Sequence, residues 1–316
     1  MIDEQTKEVL EVVIEANLSV ASKKLGEVYS GIRRRFAFRK ERVELIRNLF
    51  LDQGEFLFHP SSDYVAANSQ ITPPHPQIGY PHDVAALLSF DPFLPGETKI
   101  QKSLLFDGSL TPTSRVICAG SPKANKLSRK YLPSIAVQRD GNRVSQYQTC
   151  ISEDRLTYVF GEDLYAPTVD VVSMMYGGKL VPKTRKIIWH RKGKNLLLWS
   201  PLGYELGGKL NADFLLVSRL PRTKTGGDIL VFAGGHGSGT QAISLLLNQL
   251  PPSQLKDITD IVGGEPYFQF VLEVSDFSHS ADGTLAARVC VSEQLPPVVL
   301  DLGPNDLIPE SRLKAK

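Results

Sequence analysis

Apolar residues near the start of the chain recur at helical spacing. Leu10, Ile14, Leu18, Ala21, Leu25 and Val28 follow one another three or four positions apart, which sets them on one helical face. Residues 3–50 therefore read as mainly helical, interrupted near Gly26 and Gly31, with Val43, Ile46, Leu49 and Phe50 as the apolar side of a second stretch. Past Asp52 the pattern changes. Prolines crowd the chain from Pro60 to Pro95, so no long helix can run there, and only Val84–Leu88 reads as a turn or short helix. Phe56, Phe58, Tyr64, Tyr80, Phe90 and Phe93 give this stretch aromatic anchors, so it reads as an ordered, irregular connector.

From Ser114 onward the order becomes strand, turn, helix. Val116–Ala119 reads as a short buried strand and Lys126–Leu132 as a helix behind it. Further strands are predicted at Tyr158–Phe160, Lys186–Trp189, Asn195–Trp199, Asp213–Ser218 and Ile229–Ala233. Gln241–Leu250 reads as a helix stopped by Pro251 and Pro252, and Tyr267–Val274 and Ala286–Val291 as late strands forming an antiparallel edge. The expected class is α/β with a mixed, mainly parallel sheet behind a helical N-terminal segment. The expected divisions are residues 1–51, 52–113 and 114–316.

Two glycine-bearing turns stand where an apolar strand runs into a helix. In the first, Gly120 allows a tight exit, Pro122 suits an early helical position, and Ser121 or Asn125 is placed to cap the helix or bond a ligand hydroxyl. In the second, Gly234, Gly235, Gly237 and Gly239 lack Cβ atoms along a short arc, while Ser238 and Thr240 add hydroxyls. Backbone N–H groups at such a turn make a cradle for phosphate or carboxylate. The second turn is neither the dinucleotide fingerprint, since Thr240 holds the third glycine position, nor a P-loop, since no Gly-Lys-Ser/Thr follows. It is not a nucleophile elbow either, because His236 lies two residues before Ser238.

Other side chains near predicted strand ends extend the list. His236, set among glycines, is a candidate general acid or base; Glu162 and Glu265 are candidate catalytic carboxylates or ribose ligands, with surface salt bridges as the plainer alternative. Arg219 follows an apolar strand and is placed to reach a phosphate over the sheet's edge. His59, His75, His82, His190 and His279 show no metal-ligand spacing. The basic cluster Lys183, Arg185, Lys186, Arg191, Lys192 and Lys194 reads as a strand pair with a charged hairpin tip, without an assigned function.

The run Gly120-Ser121-Pro122-x-x-Asn125, then Asp213–Pro221, then Ala233–Thr240 resembles a group of bacterial proteins. These pair a Gly-Pro-Asn turn with a later Ala-Gly-x-x-x-x-Gly-Thr turn behind a variable helical N-terminus. The resemblance covers residues 114–275 and implies a Rossmann-like ligand site, but no established activity.

Composition adds limits. With 316 residues and a net charge of +2, no bulk charge marks a nucleic-acid or membrane partner. Three widely separated cysteines, and an N-terminus without a basic start and apolar middle, point to a cytoplasmic protein with reduced thiols. Locally, Arg33, Arg34 and Arg35 follow helix-turn-helix-like spacing of Ala21, Leu25, Gly26 and Ile32, although Glu27 and Arg35 stand where apolar residues are usual. The leading reading is therefore binding of a phosphorylated or nucleotide-derived small molecule at the two turns, as a sensor. The N-terminal helices would form a homodimer interface. Alternatives are a hydrolase of nucleotide N-glycosidic bonds, using Glu162 or Glu265 with His236, and a ligand-responsive DNA-binding regulator. No cofactor or metal follows from the residues.

Overall fold

The structure is a computed structural model. It describes residues 40–51, 56–59, 81–94, 115–138, 140–163, 174–176, 179–181, 185–201, 205–206, 209–279, 285–309 and Arg312. By its contacts the chain divides into Met1–Val43 and Glu44–Lys316, and the second unit holds all the described strands. In chain order the elements begin with α1 (Lys40–Phe50), β1 (Phe56–His59), α2 (Pro81–Leu88), β2 (Arg115–Ala119) and α3 (Lys126–Tyr131). Next come β3 (Ser134–Val137), β4 (Arg143–Ser145), β5 (Tyr158–Asp163), and a ribbon of β6 (Met174–Tyr176) with β7 (Lys179–Val181). β8 (Arg185–Lys192) and β9 (Asn195–Trp199) precede a second ribbon, β10 (Glu205–Leu206) with β11 (Lys209–Leu210). β12 (Ala212–Pro221), β13 (Asp228–Gly234), α4 (Gly237–Asn248) and α5 (Pro252–Val262) follow. The described chain ends with β14 (Phe268–His279), β15 (Leu285–Val291) and β16 (Val298–Val299).

Two mixed sheets dominate. The first has the order β1-β2-β13-β12-β14-β15, with β16 beside β14; the second has the order β4-β3-β5-β8-β9. Alternation along β13 shows how the layers meet. Ile229, Val231 and Ala233 join a core shared with Phe160, Ile188 and Trp199 of the second sheet. Phe232 points the other way, 5.6 Å from the Phe50 ring and 5.5 Å from the Phe90 ring. On that face α2 and α4 cover the first sheet. The result is a layer of helices, a mixed sheet and a second sheet, each face buried as a two-residue period requires. Each of these buried phenylalanines is worth about 1.5–3 kcal/mol of transfer free energy, with edge-on ring contacts adding to it.

One polar side chain joins the sheets inside the core. Gln269, fully buried, accepts from the Tyr158 amide at 2.9 Å and donates to the Tyr158 carbonyl at 2.8 Å and to Ser218 Oγ at 3.0 Å. It satisfies the Tyr158 backbone on the side away from β8, where the pairing with β3 begins only at Phe160.

The expected Rossmann-like, mainly parallel sheet is overturned: the protein is mainly β, with two mixed sheets and few helices. In the first sheet only β1 with β2 and β2 with β13 run parallel; β13 with β12, β12 with β14 and β14 with β15 are antiparallel. In the second, only β3 with β5 is parallel. The reason lies in the connections. Parallel neighbours need a crossover of a dozen or more residues, whereas β12 returns through a tight turn at Thr223–Gly227, with Gly226 at φ 101°. β8 returns through Gly193-Lys194, with Gly193 at φ 60°.

Helices expected over residues 3–39 lie outside the described residues, as do Arg33, Arg34 and Arg35. Within the stretch read as a connector, Phe56–His59 forms the edge strand of the first sheet. Phe58, Phe90 and Phe93 are buried, and Arg47 Nε donates to the Phe93 carbonyl at 2.8 Å. Among the described residues no helix is long and apolar enough to cross a membrane.

At the amino end of β13, Asp228 is buried between two arginines. Its Oδ1 lies 2.7 Å from Arg115 Nε and its Oδ2 2.7 Å from Arg219 Nε. Removing the carboxylate leaves buried guanidinium charge facing apolar strands. Asp228→Ala is therefore expected to lose about 3–5 kcal/mol of stability in urea denaturation; a loss under about 1 kcal/mol, the worth of an exposed ion pair, would refute the clamp.

Candidate functional site

β2 and β13 run side by side and parallel, so the turns that follow them emerge at the same edge of the first sheet. Ala119 pairs with Phe232, and the Gly120 amide donates to the Phe232 carbonyl at 2.9 Å. Gly120 has φ 109°, a conformation that favours glycine. The Ser121 carbonyl accepts from the amides of Ala124 and Asn125, closing the first turn.

Asn125 is fully buried and holds that turn in shape. Its Oδ1 accepts from the amides of Leu127 at 2.9 Å and Ser128 at 3.2 Å, capping α3, while its Nδ2 donates to the Ala119 carbonyl at 2.8 Å. Ser128 Oγ donates to the Gly120 carbonyl at 2.7 Å and lies 3.2 Å from Cys118 Sγ. Burial pushes the Cys118 thiol up to about 12, which removes it as a nucleophile at neutral pH. All three cysteines are free thiols.

The second turn is built around a residue of another strand. Asp213, fully buried on β12, accepts from the His236 amide at 3.0 Å, the Gly239 amide at 2.6 Å and its neighbour Phe214's amide at 2.8 Å. His236 occupies the N-cap of α4 without capping through its side chain. Asp213 takes over that role and favours the helix dipole. The glycines follow from this closeness. A Cβ on Gly239 would strike the Phe214 carbonyl, one on Gly235 the Asp213 carboxylate, and one on Gly234 the Thr240 amide. The amides of Gly237 and Ser238, at the exposed start of α4, make no hydrogen bond among the described residues.

The second sheet brings two charged side chains to this place. Glu162 of β5 and Lys186 of β8 are cross-strand partners, on the face where Phe160 and Trp199 meet Phe214 at ring distances of 5.8 and 6.1 Å. Both are buried, and Lys186 Nζ is in contact with Glu162 Oε1. The same oxygen lies 3.4 Å from Nζ of Lys123, a half-exposed residue of the first turn. Gln146 Nε2 donates to the other oxygen at 3.0 Å. A Cβ on Gly235 would lie 3.3 Å from Lys186 Cβ, so the lysine rests against the second turn. Burial lowers the Lys186 amine well below its ordinary value, Lys123 acts in the same direction, and Asp213 opposes them. His236 Nδ1 stands 3.7 Å from Asp213 Oδ1. A string of polar side chains thus links the turns: Lys123, Glu162, Lys186 and Asp213, with the His236 imidazole beside Asp213.

The structure gathers Gly120, Ser121, Asn125, Glu162, Gly234, Gly235, His236, Gly237, Ser238, Gly239 and Thr240 at this edge. It sets two others apart. Arg219 lies within β12, paired with Leu230 and bonded to Asp228, at the opposite end of β13 from Gly234. Glu265 is exposed just ahead of β14, whose first residue, Phe268, pairs with Arg219. Among the described residues no group of three or more His, Cys, Asp or Glu is placed to hold a metal ion.

Sequence reasoning gave no role to Asp213, Lys186 or Lys123. The signal for the first two was a charge inside an otherwise apolar strand, Asp213 before Phe214-Leu215-Leu216-Val217 and Lys186 before Ile187-Ile188-Trp189. No protein-family model matches this chain significantly, and neither does any curated protein or solved structure.

The packing account separates glycines that look alike in sequence. Gly239→Ala is expected to destabilise by about 1–3 kcal/mol, through overpacking against backbone. Gly237→Ala, at the exposed first turn of α4, is expected to be neutral or to stabilise by about 0.4–1 kcal/mol. Chemical denaturation of the two variants checks this; equal effects would show that Asp213 does not dictate the turn.

Proposed function

We propose that the protein is a cytoplasmic binder of a small phosphate-bearing molecule, nucleotide-derived or a sugar phosphate, at the carboxyl ends of β2 and β13. One observation carries the reading: two unoccupied amides, at Gly237 and Ser238, open α4 at the end of the charge string that joins both turns. Ser238 and Ser121 add hydroxyls, His236 adds an imidazole, and Lys123 is the exposed cation able to swing from Glu162 to an incoming anion. Asp213 already fills the inner part of the helix N-terminus, so the ligand phosphate meets only its outer amides.

Glu162 is held by Lys186, Lys123 and Gln146. A carboxylate held in this way supports binding over attack on a glycosidic bond, the role weighed for it and for Glu265. The DNA-binding reading rests on Arg33, Arg34 and Arg35, outside the described residues.

Gly237→Pro tests the site with little disturbance. Proline is favoured at the first helical position, and His236 before it is already extended, at φ −129° and ψ −171°. The substitution deletes one amide donor and keeps the helix. In thermal-shift titrations with nucleotides, sugar phosphates and inorganic phosphate, a binding anion raises the melting temperature of the wild type. Gly237→Pro is expected to weaken that binding about tenfold, the worth of roughly one charge-assisted hydrogen bond. No shift with any of these compounds overturns the reading.

A further inference from the structure

Lys186 is unusual among the described lysines in being buried, and its position is chemically suggestive. Its amine contacts a carboxylate oxygen that also touches Lys123, an exposed lysine of the first turn. On the other side lies the second turn, beyond which are the free amides of α4. The amides suit a phosphate and the amine suits a carbonyl, so one ligand class carries both groups.

We infer that Lys186 condenses with the carbonyl carbon of a phosphorylated aldehyde, such as an open-chain sugar phosphate, to form an imine. The inference rests on the anion-binding reading and names its ligand class. Glu162 takes a proton from the Lys186 ammonium. The freed nitrogen lone pair then attacks the carbonyl carbon, whose π electrons move to oxygen; the attacking nitrogen, now carrying an extra proton, passes it to that oxygen, giving a neutral carbinolamine. Glu162 returns its proton to the hydroxyl, which leaves as water while the nitrogen lone pair forms the C=N bond. The balance is ammonium plus aldehyde giving protonated imine plus water, with Glu162 returned to its carboxylate and no oxidant or reductant. Burial supports the amine's role by favouring its neutral form.

The test is reductive trapping. The full-length protein is incubated with glyceraldehyde 3-phosphate and cyanoborohydride near neutral pH, and adducts are mapped by peptide mass spectrometry. The expected result is one dominant adduct on Lys186, formed about tenfold or more faster than on Lys123 or any surface lysine, as a desolvated amine near its proton acceptor requires. Excess inorganic phosphate should slow it. Lys186→Arg keeps the charge beside Glu162 and has no condensable amine; it should lose the dominant adduct. Adducts spread over surface lysines and absent from Lys186, with the wild-type thermal shift intact, overturn the imine and leave the anion site standing. Absence of both adduct and thermal shift overturns the two together.

Discussion

The buried carboxylate of Asp213 is the constraint on which the carboxyl end of the first sheet depends. An ionised carboxylate with no exposure persists only when its lone pairs are filled, and three backbone amides fill them. To deliver those amides, the chain after β13 must fold back onto β12 so closely that no Cβ fits at Gly234, Gly235 or Gly239. The glycine-rich arc is thus the imprint of an internal anion. α4 is tied to β12, two places away in chain order, and not only to the strand that leads into it.

A second carboxylate acts at the other end of the same strand pair. Asp228, at the start of β13, gathers Arg115 from β2 and Arg219 from β12, so three adjacent strands share one ion cluster. Asp213 and Asp228 therefore pin β12 against β13 at opposite ends. A one-residue slip would turn every side chain to the wrong face and leave both carboxylates without their donors. Between them Gln269 ties the first sheet to the second through the Tyr158 backbone. Apolar burial supplies the bulk of the cohesion, and these polar contacts select a single register.

Local pattern was legible where a strand is a continuous apolar run. The run read at Ile229–Ala233 is β13 within a residue at each end, and Asn195–Trp199 coincides with β9. Phe56–His59 and Ser134–Val137 carry too little pattern of their own; they are strands because a neighbouring edge accepts them. Pro252 was read as a helix stop, and it opens α5 as its first residue. The sheet's direction was misread because glycine turns suggested βαβ units, while the short returns at Gly193 and Gly226 decide for hairpins. At the site, the glycines and His236 could be picked out by composition. Their cause could not: Asp213 sits 23 and 26 positions from the amides it binds, a contact that exists only once the sheet has formed.

The two ends of the β12–β13 pair use similar parts to different effect. At the Asp228 end the carboxylate and both arginines are buried within neighbouring strands, a closed arrangement suited to clamping. At the Asp213 end the charges step outward, from Asp213 through Lys186 and Glu162 to Lys123, which is half exposed. Lys186 and Glu162 come from the second sheet, Asp213 from the first, and Lys123 from a turn, so the string draws on three separate parts of the fold. A purely structural ion pair would gain nothing from an exposed third member, because a surface partner is screened and weakly held. An exposed lysine sharing an oxygen with a buried one is therefore an arrangement that stability alone does not explain. That difference, together with the α4 amides, is the physical argument behind the site proposed at the carboxyl ends of β2 and β13, while the other end serves as a clamp.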